Sequence, residues 1–324
     1  MNVQTLKQTN DIAPAKAVTG LLARVQRGVQ EKPLRVVIYG PEGIGKSTFA
    51  AGAPAPIWLG ADQGTQHLDI ARLPAPSTWD DVRASIHELA TEAHEFKTLV
   101  VDPINWLEPM CWKFVCDRDT KPSIEDYGYG KGHKAALVEW RVLARDLEDL
   151  AAKRGMNVVI VAHSQTRKLK SPDVEDFDRY TLAMNEEAAA LFRQWADYVL
   201  LVKRGVFAKA VDKTGQRFQG ASNGLRVLHT AWSAAFDAKS RPQLPDPLPF
   251  PEHGAWSTFS RARDWVATQL TAKRAELEAL LATAKPADAE QVRAYIAEEP
   301  NDARRYDEVI NALKATQTTT ETSK

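Results

Sequence analysis

The stretch Gly40-Pro41-Glu42-Gly43-Ile44-Gly45-Lys46-Ser47 limits this chain to a small set of folds. It has the spacing G-x-x-x-x-G-K-[ST], follows the apolar run RVVIY, and leads into residues that favour a helix. Its glycines let successive backbone N–H groups turn inward as an anion nest. The following helix start adds the positive end of its dipole. Gly40 through Thr48 are therefore expected to hold a nucleotide's phosphates, with Lys46 reaching the β- and γ-phosphates and Ser47 ligating Mg2+. By composition alone the bare pattern arises in on the order of 1% of chains of this length, and the flanking strand and helix make a chance match rarer still.

The text around the loop reads as an α/β sheet. Arg35–Tyr39, Pro56–Gly60, Thr98–Asp102 and Asn157–Ala162 are short strand candidates, and three of them are near-continuous Val/Ile/Leu runs suited to parallel strands covered on both faces. Lys46–Ala53, Thr78–Ala93 and His133–Arg154 are helical candidates between them, the last ending at the C-cap glycine Gly155. Tyr198–Lys203, Ala208–Asp212 and Arg226–Thr230 follow as strands with less helix between, and Lys213-Thr214-Gly215 suits a hairpin turn, so the sheet is expected to finish antiparallel. The Pro-rich stretch from Pro242 to Pro251 reads as a boundary. Beyond it, Trp256 to Leu313 is helical in composition and punctuated by Pro286 and Pro300. Residues 1–30 read as a polar arm with a short helix, Val18 to Val29; 31–250 as the core; 251–315 as a helical C-terminal region; and 316–324 as a disordered tail.

Charge and composition narrow the classes further. With 42 Lys+Arg against 42 Asp+Glu the formal charge is zero, which argues against a protein that holds nucleic acid by bulk charge. Residues 255–324 carry 10 basic and 11 acidic side chains, so the C-terminal region is not a polycationic arm. No apolar run approaches the roughly 18 residues that span a bilayer, and no secretory signal is visible at the N-terminus. Cys111 and Cys116 read as two small apolar residues on one helix. A reducing cytoplasm is the expected compartment.

Three more positions stand at strand ends. Asp102 closes Thr98–Val101, where an acid beside a phosphate loop holds Mg2+ directly or through water. Asp62, after Ile57–Ala61, is by pattern alone either an ordinary turn residue or the carboxylate that orients an attacking water. His163, with Ser164 and Gln165, follows the buried run Asn157–Ala162 and is placed to sense a γ-phosphate.

Together these pieces resemble the RecA-like ATPase core, and more narrowly the phage single-strand annealing and recombination ATPases related to RecA and RadA. The resemblance spans roughly Pro33 to Phe250, through YGPEGIGKST, WLGADQGT, TLVVDPINWLE, DYGYGKGH, NVVIVAHSQTRK and FDAKSRPQLP. It implies a RecA-like fold: a mostly parallel sheet flanked by helices, antiparallel strands at the end, and here a helical C-terminal extension without a counterpart. It also implies ATP and Mg2+ as ligands, ATP hydrolysis, and a homo-oligomer, ring or filament, with ATP at subunit interfaces. Lys239-Ser240-Arg241 resembles the family's late basic element, with Ser in place of the usual Asn, which makes Lys239 and Arg241 trans-acting cations on a neighbour's nucleotide. Asp62 corresponds to the family's catalytic glutamate but is one methylene shorter, so slow hydrolysis is expected. The N-terminal oligomerisation domain of full RecA has no counterpart.

The same resemblance places single-stranded DNA on two segments. Asp117–Gly132 offers Arg118, Lys121, Tyr127, Tyr129 and Lys131 among glycines; Ser164–Asn185 offers Arg167, Lys168 and Lys170, then turns acidic at Asp173, Glu175, Asp176 and Asp178. The acidic half is expected to fold back on the basic half when DNA is absent. The implied function is annealing or homologous recombination in a bacterial host cytoplasm, with a single-stranded DNA-binding protein as a further partner. Other readings compatible with the residues are a different RecA-like motor (a helicase or packaging accessory), a nucleotide-gated scaffold that uses residues 255–313, and, from the phosphate loop alone, a small-molecule kinase.

Overall fold

The computed structural model of the chain describes residues 24–25, 32–60, 64–170, 175–210, 218–300 and 302–321. The expected N-terminal arm and helix lie almost wholly outside the described residues, as do the turn Lys213-Thr214-Gly215 and Asp62. From Pro33 onward the chain forms one compact unit.

In chain order the elements are β1 (Arg35–Gly40), α1 (Lys46–Ala51), β2 (Pro56–Gly60), β3 (Ala71–Arg72), α2 (Trp79–Thr91), β4 (Thr98–Asp102), α3 (Glu108–Arg118), α4 (Lys131–Arg154), β5 (Asn157–Leu169), β6 (Phe177–Leu182), α5 (Glu186–Trp195), β7 (Tyr198–Ala210), β8 (Phe218–His229), β9 (Leu248–Pro249), α6 (Ala255–Leu281), α7 (Pro286–Glu298) and α8 (Ala303–Glu321). The sheet order is β3-β2-β4-β5-β1-β7-β8-β9, with β6 paired to β5. Pairing is parallel from β3 to β7 and antiparallel from β7 through β9. This is the mostly parallel, helix-flanked sheet with antiparallel strands at its end that the sequence implies.

Both faces of the central strands are covered, which is why they read as unbroken apolar runs. On one face Trp79 of α2, Trp140 of α4 and Phe192 of α5 pack edge to face over Val37, Leu99 and Val158. A capping box in which Thr78 and Asp81 exchange hydrogen bonds starts α2, and Gly155, at φ 65°, ends α4 as expected. On the other face Phe49 of α1 meets Phe250, Trp256 and Phe259. Gly52 allows that approach, since a Cβ there would lie 2.8 Å from the Trp256 Cβ.

Four expectations change. The Pro-rich stretch, read as a boundary, is packed into the fold: Leu244, Leu248 and Phe250 are buried, and β9 pairs with β8. Asn157–Ala162 is only the buried half of β5, which continues to Leu169 as one arm of a hairpin with β6, so the described residues of Ser164–Asn185 are largely strand. Tyr198–Lys203 and the described part of Ala208–Asp212, which ends at Ala210, are one strand, irregular between Arg204 and Val206. The tail expected to be disordered from residue 316 is helical to Glu321, because adding a turn to an established helix is easy compared with starting one. Helix α5 is absent from the sequence reading, although Ala188, Ala189, Phe192 and Trp195 recur on one helical face.

Candidate nucleotide-binding site

Register sets the site. Gly40 of β1 lies opposite His163 of β5, Val101 of β4 opposite Ile160, and Gly60 of β2 opposite Asp102. The ends of β1, β4 and β5 therefore bring the phosphate loop, Asp102 and His163 to one edge of the sheet, the usual ligand position in open α/β sheets. They border a cleft of about 380 Å³, whose other walls include Thr65, His67 and the half-exposed Trp106.

The loop has the backbone its glycines allow: φ is 64° at Gly43 and 107° at Gly45, the latter capping α1 with no side-chain bond to its N–H groups. Gly40 is needed for a different reason, since a Cβ there would sit 2.3 Å from the Val202 carbonyl oxygen of β7. Lys46 is only 6% exposed, and its Nζ donates to the Gly40 and Pro41 carbonyls at 2.9 and 2.8 Å. Burial pushes its pKa down to about 8, against the pull of Asp102 and Glu42. Asp102 is as deeply buried as Lys46 and accepts a 3.3 Å hydrogen bond from the Trp58 indole. The His163 main-chain N–H donates to Asn105 Oδ1 at 3.1 Å.

These groups fit a nucleotide with Mg2+. The Ser47 hydroxyl and Asp102 carboxylate are hard oxygen donors in the same cleft, and Lys46 holds its ammonium on the loop's own Gly40 and Pro41 carbonyls at the cleft wall.

The profile of the AAA domain family matches residues 32–242. The chain belongs to this family. It is accordingly a nucleotide-binding ATPase domain of P-loop type, and its G-x-x-x-x-G-K-[ST] loop lines the cleft. No curated protein matches the chain. Among solved structures, the crystal structure of the RadB recombinase resembles it at 14% identity and a TM-score of 0.39, over 69% of this chain and 90% of that one. Among the described residues no helix of this AAA domain protein is long and apolar enough to cross a membrane.

The remaining predicted residues are dispersed. Lys239 is tied to β7 by reciprocal main-chain bonds with Val199, and its Nζ donates to the Arg193 and Gln194 carbonyls at 2.6 and 3.3 Å, at the C-terminal end of α5. Burial and the neighbouring Arg241 push its pKa down to about 8. Arg241 is exposed, and neither cation lines the cleft. Arg118 pairs with Asp119 and, at 2.7 Å, with Glu139; the Tyr127 hydroxyl donates to Val115 O and Asp119 Oδ2 at 3.0 and 2.7 Å. Lys121 lies over the Tyr127 ring, whereas Tyr129 is fully exposed and Lys131 exposed. Arg167 donates to the Met184 carbonyl at 2.7 Å and to Glu186 at 3.2 Å. Lys168 lies 4.0 Å from Asp176 across the hairpin, and Lys170 is exposed. Sequence reasoning missed Trp58, Asn105, Trp106 and above all Arg226 of β8, whose Nη1 donates to the Ile44 carbonyl at 3.0 Å while its guanidinium lies over the Phe250 ring.

Proposed function

We propose that this AAA domain protein binds and hydrolyses ATP with Mg2+, assembles with copies of itself, and binds single-stranded DNA to promote annealing and homologous recombination, as a phage-encoded protein acting in a bacterial cytoplasm. The observation that carries the proposal is the division of cations. One chain gathers Lys46, Ser47, Asp102 and His163 in the cleft and leaves Lys239 and Arg241 on another surface. A neighbour can supply those two to a cleft that lacks them.

Bound ATP supplies the anhydride to be cleaved. Lys46 holds phosphate charge, Ser47 and Asp102 hold the metal, Asp62 orients water, and His163 registers the terminal phosphate. β5, whose buried half ends just before His163, continues as the hairpin arm bearing Arg167 and Lys168, with Lys170 just past its end. A ligand on that arm thus shares one β-strand with the phosphate sensor, which supports hydrolysis stimulated by DNA. The test is ATPase activity with and without single-stranded DNA, with particle size measured under the same conditions. Stimulation together with growth beyond a monomer is expected. A monomer whose turnover ignores DNA would refute the assembly and the DNA role together.

A further inference from the structure

Two hairpins flank the phosphate loop. β6 folds back on the outer half of β5, and β8 on the outer half of β7. Between them lies a groove of about 360 Å³, separate from the nucleotide cleft. Its floor is Pro41, Glu42 and Ile44 of the loop, and its walls carry Tyr180 of β6 and Lys203 and Arg204 of β7. Glu42 and Ile44 line the cleft as well, so the loop is a wall common to both spaces.

The chemistry of the groove is particular. Tyr180 leaves 42% of its surface in solvent beside two cations. Lys203 is balanced by the Phe236 ring at 5.0 Å, and among the described residues neither Lys203 nor Arg204 is ion-paired with a carboxylate. Lys168 is on the Tyr180 face of the hairpin, because Thr166 pairs with Tyr180 and Lys168 with Asp178. Its charge is met by Asp176, with Asp178 as its cross-strand register partner, and Glu42 is the acid on the floor, so the excess positive charge sits at Lys203 and Arg204. An exposed ring beside unneutralised cations suits a chain of phosphates whose bases are free to stack, which is a single strand rather than a duplex.

We infer that this groove seats single-stranded nucleic acid, with a base on Tyr180 and backbone phosphates on Lys203 and Arg204. The inference rests on the proposed DNA role and moves the seat away from Asp117–Gly132, where Arg118 and Tyr127 already serve the chain's own helices. An occupant would press on the outer side of the loop whose inner side holds nucleotide.

The experiment is fluorescence anisotropy of a labelled oligothymidylate with the full chain and a non-hydrolysable ATP analogue. Lys203→Ala with Arg204→Ala is expected to weaken binding about tenfold or more and to flatten its salt dependence. Tyr180→Ala is expected to weaken it about tenfold, and Tyr180→Phe to retain it. Lys121→Ala, in the other segment, is expected to leave binding unchanged. Equal binding by wild type and the groove variants would overturn the groove and leave the DNA role standing; absence of binding by wild type would overturn both. Photocrosslinking of a 4-thiothymidine oligonucleotide to wild type is the second measurement. A crosslink mapped to the peptide containing Tyr180 supports the seat, and one confined to residues 118–131 overturns it.

Discussion

Lys46 and Lys239 are alike in isolation and opposite in setting. Each is buried enough to push its pKa down to about 8, and each turns its ammonium onto a pair of main-chain carbonyls. Around Lys46 the charged neighbours named by the field are acids, Asp102 and Glu42; beside Lys239 the strongest is a cation, Arg241. The first lysine is a cation pre-balanced in a cleft. The second belongs to a positive pair that gains from an anion brought to it. Under the proposed function, the difference separates a residue for the chain's own phosphates from one for a neighbour's, and it can be broken at either end.

The largest effect is expected at Lys46. Lys46→Ala removes the buried cation from the loop and should lower ATP hydrolysis on the order of a hundredfold or more; near-normal turnover would dismiss the cleft as the site. Lys239→Ala should cut hydrolysis while nucleotide affinity stays close to wild type. Mixing the two variants decides whether the second lysine acts across an interface. Activity above that of either alone is expected, because mixed contacts pair an intact cleft with an intact Lys239. A mixture no better than its parts would place Lys239 within its own chain's architecture only.

The shared pKa gives a smaller, pH-dependent effect that again divides the pair. Between about pH 8 and 10.5 the unfolded chain keeps protons on these amines that the folded chain has shed, so stability rises with pH over that window. Below about pH 8 both states are protonated and the cost of the buried charges is fully present. Nucleotide binding runs the other way, since phosphate requires the protonated Lys46. Affinity for ATP should fall as pH rises above about 8, approaching tenfold per unit, in an equilibrium titration with a fluorescent analogue. Lys46→Arg, which stays charged, should remove the slope, and Lys239→Ala should leave it in place.

What could be read from the sequence follows from how local each signal is. The phosphate loop is contiguous, and Asp102 needs only a strand end to place it. The central strands were legible because burial on both faces confines their polar residues to the ends, as at Arg35, Thr98, Asp102 and Asn157. The outer half of β5, HSQTRKL, alternates polar types with no apolar side, so it reads as a loop; it is a strand because residues 177–182 pair with it. Arg118 and Tyr127 read as a DNA loop because their neutralising partners are dispersed: Asp119 is adjacent, but Glu139 comes from α4. The packing of Trp256 on Gly52, which carries the C-terminal helices onto α1, has no local signature.

Arg226 is a third cation that grips a main-chain carbonyl, and it sharpens the comparison from outside the cleft. Its Nη1 donates to Ile44 O, and it would meet a Cβ on Gly45 at 3.1 Å, so it braces the turn that aims the loop's N–H groups. It does not line the cleft. Arg226→Ala should therefore loosen the ground-state seat for phosphates, raising KM for ATP by about three- to tenfold, the roughly 1 kcal/mol that one ordinary hydrogen bond contributes, with kcat within about twofold. Arg226→Lys keeps a donor but not the planar stack on Phe250, and should recover part of the KM. A general loss of folding would lower Tm and active fraction in both variants without moving KM. A fall in kcat at constant KM would instead make Arg226 act on the transition state, and would set it beside Lys46 rather than behind it.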